Sequence, residues 1–104
     1  MPILWEEPCG IVMAESMACG TPVIGLARGA VPAVVEHGVT GFVENDIEGL
    51  MPAVGRLTVI KRRACRHRVE RLFSETAVAD GYLGVYREML HQRHAGTAAW
   101  VAAR

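Results

Sequence analysis

The sequence predicts an α/β fold, with short parallel strands first and helices toward the C-terminal end. Three observations predict it. Strand-like and helix-like segments alternate up to about Asp46, the pattern of a layered sheet with crossover helices. The Val23-Ile24 core of TPVIGL is apolar on both faces, as a buried parallel strand requires. From Asp46 onward the chain reads as mostly helical.

The elements follow in order. PILW, residues 2–5, reads as the end of a short strand, which Pro8 interrupts. Gly10 opens a helical window, GIVMAESMAC, which closes at Gly20 as a C-cap. Met13, Met17 and Ile11 are assigned to the core. TPVIGL is the buried strand and ARGA a loop. VPAVVEHG reads as a short helix with Pro32 in its first turn and Gly38 at its end. VTGFVEND places a turn at Thr40-Gly41 and a strand at Phe42-Val43. Asp46 caps a helix running to about Leu57. A second helix spans about Val59–Phe73, with Val69 and Leu72 facing the core. Ser74 caps a third over Thr76–Gln92, with Ala79, Tyr82, Leu83, Tyr86 and Leu90 on one stripe. Gly81 and Gly84 weaken that helix. Residues 1–92 thus form the predicted domain, and 93–104 a frayed or disordered tail. About three short strands leave poorly covered sheet edges, so the chain reads as part of a larger domain.

Bulk properties exclude several classes. The chain has 104 residues, and 51% of them are apolar, so it is neither multi-domain nor disordered. Net charge is zero, but its sign is divided. Residues 1–50 carry seven acids and one base, Arg28, whereas residues 51–104 carry ten Lys or Arg and four acids. Cys9, Cys19 and Cys65 are odd in number and form no C-x-x-C pair, which argues against a disulfide framework or a structural zinc. A reducing cytoplasm fits this usage. No apolar run approaches the ~20 residues of a membrane span, and the N-terminus lacks a signal-peptide pattern.

The chemistry lies in WEEPCGIVMAES, where Glu7 and Glu15 bracket an apolar run. A helix beginning near Gly10 leaves the N–H groups of about Cys9 to Val12 without intrahelical partners. With the helix dipole these form an anion site, and Gly10 lets a phosphate approach the backbone. Glu7 lies just outside the helix end and Glu15 roughly 7 Å inside it. A carboxylate accepts two hydroxyl hydrogen bonds, the geometry of a vicinal diol. Diol acceptor, anion site, diol acceptor matches the hexose, diphosphate and ribose of a nucleoside diphosphate sugar. The spacing alone leaves open that both are solvated charges favouring the dipole.

The stretch EEPCGIVMAESMACGTPVIGLARGAVPAVVEHGVTGFV resembles the donor-binding core of the family-4 retaining glycosyltransferases of GT-B fold. The matching residues include Glu7, Pro8, Gly10, Glu15, Met17, Ala18, Cys19, Gly20, Pro22, Val23, Ile24, Gly29, Pro32, Gly38, Gly41 and Phe42. A looser likeness reaches about Leu90. The resemblance implies a partial Rossmann-like domain, the C-terminal part of the donor-binding domain. It also implies transfer of a hexose from a UDP- or GDP-sugar to a hydroxyl acceptor with retention. Glu7 would bind the transferred sugar and act at the reacting centre. The amides of Cys9, Gly10, Ile11 and Val12 would contact sugar and diphosphate, and Glu15 would hold the ribose. No metal or other cofactor is implied, since helix dipole and cationic side chains replace it and the nucleotide sugar is a substrate.

Departures are specific. Cys9 replaces a usual Phe, Ser16 a usual Ala, and Ala33 a usual Glu. The family's upstream Arg and Lys have no counterpart, nor does the N-terminal acceptor domain, so this chain alone is expected to be incomplete and inactive. The missing acceptor domain is then a partner, and the parent enzyme is open to peripheral membrane association.

Other features stay bland. KRRACRHRVER, residues 61–71, has six Lys or Arg and reads as a solvated helix face; no aromatics interleave it, which weighs against nucleic acid. His91 and His94 lack further metal ligands at suitable spacing. Cys9 is assigned to packing, Arg28 to solvent and Glu6 to the surface. A non-catalytic fragment and a basic-helix interaction module are the readings of a different class.

Overall fold

The computed structural model describes residues 1–2 and 4–102, with side chains described through residue 96. The chain divides into two units, Met1–Phe73 and Ser74–Arg104.

The first unit holds α1 (Ile11–Ala18), β1 (Val23–Leu26), α2 (Val31–Val34), β2 (Gly41–Glu44), α3 (Ile47–Gly55) and α4 (Arg62–Phe73), with a 3-10 turn at Leu57–Val59. β1 and β2 are parallel, pairing Val23 with Gly41 and Leu26 with Glu44, and α2 lies in the crossover. This is the expected α/β alternation, with two strands among the described residues. Helix α4 packs on α1, and α3 packs beside both strands.

The core follows from spacing. Met13 and Met17 stand four apart on one face of α1 and are fully buried, with Val31, Val35 and Cys65. Each large side chain so buried contributes about 1.5–3 kcal/mol. Thr40 is the buried polar residue among these, and it is satisfied: its hydroxyl accepts the Glu36 N–H at 2.9 Å. Burial pushes the Cys65 thiol pKa up, so it stays a donor, directed at Thr40 O at 3.6 Å. Asp46 caps α3 by accepting the Gly49 N–H at 2.9 Å, as expected.

Several boundaries move. No strand includes Pro2, Leu4 or Trp5, and Ile3 lies outside the described residues. Pro2 has no N–H to give a ladder, and the Leu4 carbonyl accepts from Arg28 instead. The Met1 amino group donates to Ile24 O on β1. Helix α2 stops at Val34 because Val35 is already extended (φ −93°, ψ 125°). The expected start at Val59 gives way to a 3-10 turn, and α4 begins at Arg62. Ile11 is 63 % exposed rather than core, since Met13 and Met17 occupy the inward face. Val69 packs against the core as expected, but Leu72 does not.

The second unit is one helix, α5 (Glu75–Ala102). Ser74 Oγ accepts the Ala77 N–H at 3.2 Å, the expected cap. The helix runs on past its expected end at Gln92, through residue 102; Ala103 and Arg104 lie outside the described residues. Gly81 and Gly84 do not break it, since their cost of about 1 kcal/mol each against Ala falls on a long helix. Tyr82, Leu83, Tyr86 and Leu90 are exposed, as are His91 and His94.

Candidate functional site

An open cleft of about 400 Å³ is lined by Met1, Glu7, Gly10, Ile11 and Val12. It sits at the N-terminal end of α1, whose N-cap is Gly10 at φ 63°. The carboxylate of Glu7 lies across that end. Its Oε1 accepts the Gly10 N–H at 3.1 Å and, at 3.5 Å, the Cys9 N–H. Its Oε2 accepts the Trp5 indole N–H at 3.2 Å. Among the described residues, the N–H groups of Ile11 and Val12 meet no protein acceptor. Glu15 is exposed on α1, about 6 Å along the axis from Ile11.

Four of the six expected positions, Glu7, Gly10, Ile11 and Val12, therefore gather at one cleft, and Cys9 and Glu15 are not among its lining residues. The Cys9 and Gly10 amides are occupied by Glu7, which caps the helix from outside. Cys9 itself is exposed, not packed, because the chain turns inward only at the buried Gly10.

The Glu7 main chain is held from behind. Its carbonyl accepts the Ala30 N–H at 2.6 Å. Gly29 donates its N–H to the Glu6 carboxylate, so Glu6 is a structural acceptor rather than an idle surface charge. Arg28 Nη1 donates to Leu4 O at 2.9 Å, which ties the same turn to the segment before Glu7. Arg28 is thus anchored, not merely solvated.

Electrostatics agree with this geometry. The Gly10 N–H first, then the Trp5 indole and the Cys9 N–H, hold the Glu7 carboxyl below its ordinary value of 4.5. A folded-state value below the unfolded one stabilises the folded chain above about pH 4.5, and this contribution is lost as pH falls through the lower, folded value. An NMR titration of the Glu7 carboxyl carbon is expected to show a midpoint below 4.5. In the same acid window, stability of the Glu7→Gln variant falls less steeply with pH than that of the wild type. A midpoint at or above 4.5 would remove the capping role.

Residues 1–59 match the family described as glycosyl transferases group 1. The chain belongs to this glycosyltransferase family. It is 32% identical to a D-inositol 3-phosphate glycosyltransferase of Acidothermus cellulolyticus, covering 95% of this chain and 23% of that protein. It is 32% identical to spore coat protein SA of Bacillus subtilis, covering 81% and 25%. Among solved structures, a sucrose-phosphate synthase from Thermosynechococcus elongatus superposes with a TM-score of 0.64 at 33% identity, covering 83% of this chain and 24% of that one. The chain thus spans about a quarter of the length of these relatives, and its fold is the α/β fold of the GT-B C-terminal part.

For a glycosyltransferase of this family the placement of Glu7, Gly10 and Glu15 is legible in the sequence. The scaffold that Trp5, Glu6, Arg28 and Gly29 build for Glu7 is not. W-x-E is the faint signal for Trp5. The others act across 23 or 24 residues and leave no local signature. The basic run is also not a uniform solvated face: Arg66 Nη1 donates to Ala18 O at the end of α1 at 2.9 Å, and Arg68 binds the end of α2. Among the described residues, no group of three or more His, Cys, Asp or Glu gathers as a metal centre. No helix among them is long and apolar enough to cross a membrane.

Proposed function

We propose that the cleft at the start of α1 is the donor half-site of a retaining glycosyltransferase that uses a UDP- or GDP-sugar. The observation that carries this reading is one juxtaposition. Glu7, in the cleft wall, precedes the free N–H groups of Ile11 and Val12, and Glu15, exposed just over one turn into α1, follows them. Those N–H groups point a helix N-terminus at an anion, and the carboxylates suit hydroxyls on either side.

In this reading Glu15 accepts the ribose hydroxyls and the Ile11 and Val12 amides receive the diphosphate. Glu7 releases its hold on Gly10 and Cys9 and takes hydroxyls of the transferred sugar, freeing those amides for the ligand as well. The residues here position the donor and stabilise charge building on the departing diphosphate. The donor is a substrate, and the reading invokes no further cofactor. The acceptor hydroxyl and the groups that select base and sugar lie on other parts of the enzyme, where any peripheral membrane attachment also resides.

Calorimetry with UDP and GDP on the complete enzyme tests the assignment. Losing charge-assisted hydrogen bonds worth about 1.5–3 kcal/mol, Glu15→Ala is expected to weaken nucleotide binding about 10- to 100-fold. Unchanged affinity would rule out the ribose role.

A further inference from the structure

We infer that Arg68, on α4, is a positioning residue for Glu7 and acts through the single turn of α2; what that position does rests on the donor-site reading above. The Arg68 side chain is only 15 % exposed. Its Nε donates to Val34 O at 2.7 Å, and its Nη2 to Ala33 O at 2.9 Å. Its Nη1 reaches Glu36 Oε2 at 3.2 Å. The two carbonyls belong to the last residues of α2, which a helix cannot satisfy internally. One planar fork therefore fixes the C-terminal end of this turn and Glu36, two residues beyond it.

The other end of the same turn holds Glu7. Ala30, the N-cap of α2, donates its N–H to Glu7 O at 2.6 Å. Gly29 donates to the Glu6 carboxylate. A helix of four residues has no stability of its own, so its placement is set by what grips it. Helix α4 itself packs on α1, and Arg66 ties it there through Ala18 O. Glu7 is consequently referenced to α1 twice: directly through its carboxylate on the Gly10 N–H, and indirectly through α2, Arg68 and α4. Among the described residues, the hydrogen bonds of Arg68 go to Ala33, Val34 and Glu36, none of which lines the cleft.

Amide hydrogen exchange on the full 104-residue chain, read residue by residue by NMR, tests this with Arg68→Gln and Arg68→Lys. In Arg68→Gln the Ala30 amide is expected to lose about tenfold or more of its protection. The Val23 and Ala27 amides, which donate to Thr40 O and Glu44 O across the sheet, keep theirs. The Glu7 carboxyl midpoint moves up toward 4.5 in the same variant. Lysine keeps the charge but cannot span three acceptors, so Arg68→Lys restores part of the loss. Unchanged Ala30 protection in Arg68→Gln overturns the inference, as does an Ala30 amide that exchanges freely in the wild type. A loss shared by Val23 and Ala27 in both variants overturns it too, because that is global destabilisation. No readout needs a ligand, so failure here is distinct from failure of donor binding.

Discussion

Gly41→Ala is expected to unfold the Met1–Phe73 unit. Gly41 pairs with Val23 at the first rung of the parallel ladder. A Cβ there would stand 2.8 Å from the Val23 carbonyl carbon, 2.9 Å from its nitrogen, and closer still to its oxygen. These are backbone atoms, so no rotamer change relieves the contact. The strands must part at the rung that starts the sheet. Overpacking in a core costs about 1–3 kcal/mol even where side chains can shift, and here they cannot. A loss of about 3 kcal/mol or more takes much of the stability of a unit this small, roughly 0.05–0.15 kcal/mol per residue. Urea unfolding monitored through the Val23 and Ala27 amides measures it. Gly55→Ala in α3 is the control: nothing lies within 4 Å of its added Cβ, and it is expected to be neutral or to gain up to about 1 kcal/mol. A Gly41→Ala midpoint equal to that of the control would sink the prediction.

Gly29→Ala is expected to leave the fold in place and to spoil the site. Gly29 has φ 52°, a conformation that costs an L side chain about 1–2 kcal/mol. Its added Cβ would also stand 2.8 Å from the Glu6 carbonyl carbon and press closer on the Glu7 nitrogen and oxygen. The turn must back away, and the Ala30 bond to Glu7 lengthens with it. A displacement of about 1 Å at a positioning group costs on the order of 100-fold in rate. In the complete glycosyltransferase, kcat/KM should fall about that much while hydrogen exchange in β1 and β2 stays near wild type. Activity within about threefold of wild type would show that Glu7 tolerates the displacement, and the donor-site reading would lose its geometric basis.

Glu7 and Glu15 are readable in the amino-acid sequence because both are placed locally, Glu7 three residues before the N-cap Gly10 and Glu15 on the helix that follows it. Once Gly10 starts a helix, Glu15 must lie just over one turn inside it. The same holds for Met13 and Met17, for Asp46 over Gly49, and for Ser74 over Ala77: each spans three or four residues, the range over which a helix is its own template. Local rules mislead where two of them compete. Ile11 fits a helix face as well as Met13 does, and the packing of α4 and the sheet selects which face turns inward. The basic run reads as uniform because charge is visible in sequence and a distant carbonyl is not.

Local backbone chemistry and one contiguous motif suffice for the α/β order, the capped start of α3, the paired carboxylates and the membership in a glycosyltransferase family. They do not suffice for the bracing of the site. That Gly29 and Ala30 hold the Glu6-Glu7 segment from behind and that Arg68 grips the far end of α2 are outcomes of three-dimensional packing. Where these contacts cross the fold, they join residues between 23 and 35 apart. Such pairings depend on how α2, α4 and the β1–β2 ladder are brought together in space, which no local periodicity encodes.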